Sequence, residues 1–237
     1  MEPRPADTKF YVLLVDVIGS SQMADRAALT DQLQALQTRI NGQNQSFLYA
    51  PLEITRGDEM AAVLESVSPI YDILSEIDDA LYPVRFRSVV AYDRLTAGLG
   101  SRRSSILDGP AFYTAHDRMR ELKRSKQTFA LSSGHDGFNG PAEVLVNMLQ
   151  WRWSQMTELQ RKIARLYQVE GNQLKVGELL GRSQQQISHS LIATNWELLK
   201  ASESTIRDVF ANIDLFNGTA ITAGEIAAGE QRTAAAG

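Results

Sequence analysis

The chain has 237 residues, 43% hydrophobic and 22% charged, ordinary proportions for a globular protein and enough length for one large domain or two small ones. It contains no cysteine, which removes disulfides, thiol nucleophiles and cysteine-based zinc sites together, and its net charge of −4 is no global sign of a nucleic-acid binder. The polar start MEPRPADTK lacks the apolar core of a signal peptide, and no apolar run approaches the roughly 20 residues that span a bilayer, so a cytoplasmic protein without a membrane partner is expected.

Tyr11 to Val15 form a continuous apolar run, the pattern of a strand buried on both faces, and it stops at Asp16 ahead of Gly19, Ser20 and Ser21. Over 25–40 the apolar residues Ala28, Leu29, Leu33, Leu36 and Ile40 recur at helical spacing, and NGQNQ (41–45) predicts a break. Residues 47–66 read as two strands around a Gly57-Asp58 turn. A second amphipathic helix follows from Pro69 to Tyr82, with Ile70, Ile73, Leu74, Ile77 and Leu81 on one face. Strands are predicted over 84–93, briefly over 95–99 and over 127–133, with a third helix over 109–126 entered through Gly109-Pro110. The order strand-helix-hairpin-helix-strand, with additions, predicts an α+β ferredoxin-like sandwich. Composition changes at GHDGFNGPAE (134–143). Three segments are therefore expected: an α+β domain over 8–135, a small all-α domain over 141–216, and a tail over 217–237 whose small and polar residues predict disorder.

Asp16 ends the first strand, and Asp58 with Glu59 sits at the hairpin tip. Each feature alone reads as an ordinary strand end or solvated turn. In an α/β sheet the first strand and the hairpin are commonly neighbours, and carboxylates from both then converge at one end. Hard cations such as Mg²⁺ take oxygen ligands, often only one or two carboxylates beside phosphate oxygens. Asp16, Asp58 and Glu59 are the candidate metal ligands. Ile18 and Val17 offer carbonyls, Gly19 allows close approach of a phosphate, and Ser20 and Ser21 offer donors near the next helix. His116 and His135 are single histidines outside any catalytic Asp/Ser arrangement, so core or surface roles are expected of them, and with three histidines and no cysteine a transition-metal site is not expected.

LLVDVIGSS and ITRGDEM resemble the two metal-aspartate motifs of class III nucleotidyl cyclases and their GGDEF relatives. Together with VRFRSVVAYD and DGPAFYTAHDRM, over residues 10–130, the chain resembles the SatD family. The resemblance implies a nucleotide-cyclase-like sandwich that binds a nucleotide with Mg²⁺, with Asp16 and Asp58 as metal ligands and Glu59 beside them. The chain departs from the cyclases where the late helix carries an Asn and an Arg, since those slots hold Tyr113 and Asp117, and the base-selecting Lys is replaced by Ile54. Replacement cations are Arg56, Arg118, which is one position out of register with the missing Arg, or Lys123. The nucleotide-binding set is then Ile18, Gly19, Ser20, Ser21, Arg56 and Arg118, and binding without cyclisation is expected.

Residues 156–202 are helical in pattern. Thr157 with Gln160 and Ser183 with Gln186 are capping boxes that start two helices. Leu159, Ile163, Leu166 and Tyr167 form an apolar face on the first, EGNQ breaks it, LKVGELL is a short second helix, and Gly181-Arg182-Ser183 a tight turn. A third helix is predicted through about Lys200, with Ile187, Leu191 and Leu198 inward. This resembles the helix-turn-helix of bacterial regulators and sigma-like region-four modules. Arg182, Ser183, Gln184, Gln185, Gln186, Ser188 and His189 are the candidate DNA contacts, with Ser190 and Asn195 on the same polar face and Arg161 and Lys162 as further phosphate contacts. Six basic against five acidic residues over 157–203 leave this module near neutral, and a bundle that serves only dimerisation is the competing reading. Trp151 and Trp153 are expected to plug an interface rather than stack on bases.

Three functions compete on this reading. The first is a regulator that senses a nucleotide and reads DNA as a homodimer. The second is a Mg²⁺-dependent enzyme on nucleoside triphosphates with the helices used for assembly, and the third is an interaction adaptor. The missing Asn and Arg favour the first over the second, and the polar third helix favours it over the third.

Overall fold

A computed structural model describes residues 8–23 and 25–219, apart from the side chains of Ser21 and Arg56. By contacts the chain divides into two units, one running up to Val144 and resuming at Arg207, the other Leu145–Ile206.

The first unit is built on a five-stranded mixed sheet. Its strands are β1 (Lys9–Val17), β2 (Leu48–Arg56), β3 (Glu59–Leu64), β4 (Phe86–Arg94) and β5 (Phe129–Ser132). The order is β2-β3-β1-β4-β5. The first four pair antiparallel, and β5 lies parallel to β4. A central first strand flanked by the third and fourth is the expected ferredoxin-like arrangement, and the β4-α3-β5 crossover is the addition. The helices are α1 (Arg26–Gln43), α2 (Ile70–Leu81) and α3 (Pro110–Arg124).

Side chains alternate along β1, so Phe10, Val12 and Leu14 share one face. There they join Ala61, Val63, Val89 and Ala91 of the neighbouring strands and Ala111, Phe112, Ala115, Met119 and Leu122 of α3 in one buried cluster. Tyr11, Leu13 and Val15, also fully buried, point to the other face, which leaves β1 with no solvent side and explains its unbroken apolar sequence. α1 and α2 contact one another and bury Leu29, Leu33, Leu36 and Ile40, and Ile70, Ile73, Leu74, Ile77 and Leu81. Ala28 is exposed, so the apolar stripe of α1 starts one residue later than its sequence pattern.

Further expectations are refined by the structure. The NGQNQ break lies partly inside α1, because the Asn41 side chain donates to the Leu52 carbonyl at 3.0 Å and accepts from its amide at 2.7 Å, a tertiary role in place of a turn. Residues 95–99 form no strand. Gly98 has φ +77, outside the extended region, and only an isolated Ala97–Asp108 bridge remains. Residues 134–143 hold the start of α4 (Asp136–Ser154), and the division between the units falls within that helix, between Val144 and Leu145. The Asn139 side chain accepts from the Ser133 amide at 2.9 Å and its hydroxyl at 2.7 Å, tying that start to the end of β5.

Finally, the helical domain does not extend to 216. The last turns of α8 (Trp196–Asn217) belong to the first unit. Asp214, fully buried, accepts from the Val67 and Ser68 amides at 2.9 Å and from the Ser66 and Ser68 hydroxyls at 2.5 Å. One carboxylate thus satisfies the donors that precede α2, a capping role carried out from nearly 150 residues away. The tail begins inside the described residues, where Asn217 donates to the Ser133 carbonyl at 2.9 Å, and 220–237 lie outside them.

The second unit holds α5 (Glu158–Glu170), α6 (Gln173–Leu180) and α7 (Gln184–Ala193) between the ends of α4 and α8. Both capping boxes form as the sequence predicts. The third helix ends at Ala193 and not near Lys200, because Asn195 adopts φ +53 before α8 starts. Leu198 therefore lies on a different helix and is 61% exposed, while Ile187 and Leu191 are buried as predicted. Leu159, expected inward, is 42% exposed. Among the described residues no helix is long and apolar enough to cross a membrane.

Candidate functional site

The apolar columns of the α3-covered face end in charge. On β1 the column Phe10, Val12, Leu14 continues to Asp16. On β3 the column Val63, Ala61 continues to Glu59, and on β4 Ala91 and Val89 continue to Arg87. In register, Asp16 sits opposite Glu59 on one side and Arg87 on the other. Directly opposed residues share a face, so Glu59, Asp16 and Arg87 form a row across three strands. By register Arg56 of β2 is opposite Glu59, after an irregularity in the β2–β3 pairing.

α3 places Lys123 over this row. Its Nζ lies 2.7 Å from Asp16 Oδ1, and Arg87 Nη1 lies 3.5 Å from Asp16 Oδ2. Asp16 is 9% exposed and the Lys123 side chain nearly half exposed. A pair with one solvated partner contributes about 0–1 kcal/mol, so it is easily exchanged. At the hairpin turn, Ser20 Oγ donates to Asp58 Oδ2 at 2.5 Å, which ties the segment after β1 to the β2–β3 tip. Thr55 Oγ1 donates to the Glu59 carbonyl at 3.2 Å and to its carboxylate at 3.3 Å. The structure thus brings Asp16, Glu59, Asp58 and Ser20 to one end of the sheet.

Among the described residues no group of three or more His, Asp or Glu side chains is gathered as a metal cage. The three carboxylates are nonetheless hard oxygen donors of the kind Mg²⁺ takes, in ones or twos. Asp16 already carries a stand-in cation, the Lys123 ammonium. The donor chemistry fits a divalent ion, and such an ion on Asp16 Oδ1 requires Lys123 to move.

Several predicted residues are placed elsewhere. Arg118 pairs with Glu121 at 3.0 Å and with Glu143 of α4, whose carboxylate also accepts from the Leu131 amide at 2.8 Å. Five residues from Lys123 on one helix, it points about 140° away from the row. The Ile18 amide donates to the Arg85 carbonyl at 2.8 Å and is not available to a phosphate. Gly19 opens a single 3₁₀ turn, Ser20–Gln22, and α1 starts only at Arg26 with Asp25 as its cap, accepting from Ala28. A carboxylate at that helix start disfavours an anion at the N-terminus of α1 itself. The side chains of Ser21 and Arg56 lie outside the described residues. Tyr113 is exposed and does not pack into the core. Its hydroxyl donates to Asp108 at 3.1 Å, and that hydrogen bond and charge push the phenol pKa up. Asp117 pairs with Arg120 on the surface of α3.

Arg87 is the site residue that the sequence reading missed. Its signal was the alternation of FRSVVAYD, which sets Arg87 on the same face as Val89 and Ala91. A basic residue in a strand looks like a solvated position until its neighbour on β1 is known.

In the helical unit, Arg182, Ser183, Gln184, Gln185, Gln186 and His189 are exposed and Ser188 is half-buried. Ser183 and Gln186 are partly committed to the capping box that starts α7. Arg161 is a correction. It is buried, donates to the Trp153 carbonyl at 3.2 Å and stacks on that indole, so it cannot reach phosphate. Lys162 is exposed. Trp153 is buried and its indole N–H donates to Glu203 at 2.9 Å, whereas Trp151 is 56% exposed.

Sheet order and charged row together define an α+β ferredoxin-like protein with an ionic site at one sheet end. The model of the SatD family matches residues 10–132, more than half of the chain, and the chain belongs to that family. No curated protein matches it. Among solved structures it is similar to a bacterial light-regulated adenylyl cyclase, with a TM-score of 0.41, 13% identity and coverage of 56% of this chain and 45% of that one. It is also similar to the adenylyl cyclase CyaB from P. aeruginosa, with a TM-score of 0.35, 14% identity and coverage of 52% and 76%. The chain thus spans less than half the length of the first of these.

Proposed function

We propose that this SatD-family chain is a cytoplasmic regulatory protein that binds a nucleotide at the Asp16 row and reads DNA, as a homodimer, through α6 and α7. The observation that carries the first half is the convergence of Asp16, Glu59, Arg87 and Lys123, with Asp58 and Ser20 beside them, at the open end of the central strands. Arg87 and Lys123 supply cations for a polyphosphate, and Asp16, Asp58 and Glu59 supply oxygens for the accompanying Mg²⁺. That ion would polarise and orient the phosphates. The positions that serve cyclisation in the cyclases carry Tyr113, bonded to Asp108, and Asp117, bonded to Arg120, so the reading is of binding rather than turnover.

For the second half, support comes from two short helices joined by Gly181-Arg182-Ser183, with the start of α7 exposed and rich in Gln, Ser and His. Side chains of that type hydrogen-bond base edges in helix-turn-helix complexes. Met148, Trp151 and Leu198 form an exposed apolar patch beside a groove of about 200 Å³ in the same unit, which supports pairing with a second copy.

Calorimetry with ATP and GTP in the presence of Mg²⁺ tests the ligand site. Asp16→Ala and Asp58→Ala are expected to lose binding while thermal unfolding stays cooperative, and unchanged affinity in both variants removes the proposal.

A further inference from the structure

We infer that Lys123 is an internal counter-ion that competes with the divalent metal for Asp16, so that the site alternates between a lysine-closed and a metal-loaded state. This rests on the Asp16 site proposed above and assigns a regulatory role to one residue in it.

Three observations carry it. Lys123 Nζ sits 2.7 Å from Asp16 Oδ1, the oxygen a metal approaching from the α3 side would take. Asp16 is almost buried, so its carboxylate requires a cation or donors to be tolerated there, whereas Lys123 keeps nearly half of its side chain in solvent. The lysine arrives on the last turn of α3, at the end of a four-carbon stem that swings without moving the helix. Arg87 on the other oxygen lies at 3.5 Å and is only a fifth exposed, so it is the fixed partner and Lys123 the exchangeable one. Once displaced, the ammonium stands free beside the row, where the phosphate oxygens of an incoming metal–polyphosphate would be its next partner.

Opposite signs follow for two ligands. Removing the lysine relieves competition for the bare metal but deprives the polyphosphate of a cation. Lys123→Met is therefore expected to bind Mn²⁺ alone roughly fivefold more tightly than the wild type, the upper end of what a partly exposed ion pair supplies. The same variant is expected to bind inorganic pyrophosphate in saturating Mn²⁺ several-fold more weakly. Lys123→Arg, which keeps the charge, restores wild-type values in both directions. Metal binding is read by calorimetry and by the paramagnetic resonance signal of free Mn²⁺, with the full chain. Unchanged or weaker Mn²⁺ binding by Lys123→Met overturns the counter-ion role and leaves the carboxylate site standing. Absence of Mn²⁺ binding in the wild type and in Lys123→Met alike removes the metal site and this inference with it.

Discussion

At Gly177 of α6 a side chain has no room. A Cβ built there lies 2.6 Å from the Arg182 carbonyl oxygen, and the Arg182 amide donates to the Gly177 carbonyl at 2.8 Å, so the turn between α6 and α7 folds directly onto this residue. The obstacle is backbone and cannot rotate away. Gly177→Ala is expected to destabilise the protein by about 2 kcal/mol, the range for overpacking a tight site, and chemical denaturation checks it. An unchanged midpoint would show that the turn can open. Arg161 teaches a related lesson at this scale. It is basic and follows a helix start, as a phosphate-contacting residue would, yet it is held under Trp153. Residue type narrows the options, and only the neighbours choose among them.

At the scale of elements, β2 is an edge strand, and the segment after Gly98 covers it. Tyr49 donates its hydroxyl to the Leu99 carbonyl at 2.5 Å, Ser104 donates to the Pro51 carbonyl at 2.6 Å, and Arg102 donates to the Tyr49 carbonyl at 3.0 Å. An uncovered edge invites pairing with other chains, so this loop protects the sheet. Glu53 is its main ionic anchor, accepting from the Ser105 amide at 2.9 Å and from Arg103 at 3.3 Å. Burial raises the pKa of Glu53, but the bonds from Ser105 and Arg103 outweigh it and hold it below the ordinary carboxylate value. A depressed folded value means the anchor contributes fully above the unfolded pKa and is lost as pH falls through the folded one. Protection of the Ser105 amide, taken relative to the intrinsic exchange rate at each pH, is expected to hold at neutral pH and to fall below the usual carboxylate range. Glu53→Gln should flatten that profile, and a wild-type profile that is already flat would refute the anchor.

At the scale of the whole molecule, the α/β unit and the helical unit carry different chemistry, and the proposed function needs both. Near neutrality of the helical segment means that the proposed DNA affinity would come from few phosphate contacts per copy, which two copies on a palindrome would double. A retarded complex is expected in a gel shift across the gene's own upstream region, with two chains per site by light scattering. Gln185→Ala combined with His189→Ala should abolish it without changing the unfolding midpoint, because both side chains are exposed. A complex that survives the double change, or no complex at all, counts against DNA reading.

Local patterns were enough for what depends on local physics. The unbroken apolar run of β1, the stripes of α1 and α2, and both capping boxes follow from side-chain periodicity and short-range hydrogen bonding, and the sequence alone determined them. It also placed Asp16 at a strand end and Asp58 and Glu59 at a hairpin tip. Tertiary structure decided everything that needs a partner distant in the chain. Asn41 extends a helix because Leu52 is there to receive it, α4 begins among glycines because Asn139 finds Ser133, and the end of α8 returns to the first unit because Asp214 meets Ser66 to Ser68. The same holds for the site. Strand alternation put Arg87 on the face of Asp16, but only the β1–β4 register set them side by side, and only the crossover through α3 brought Lys123 onto the carboxylate. A charge is indifferent to its own sequence neighbours when its counter-charge arrives from 71 or 107 residues away, and that long-range pairing is the part no local pattern encodes.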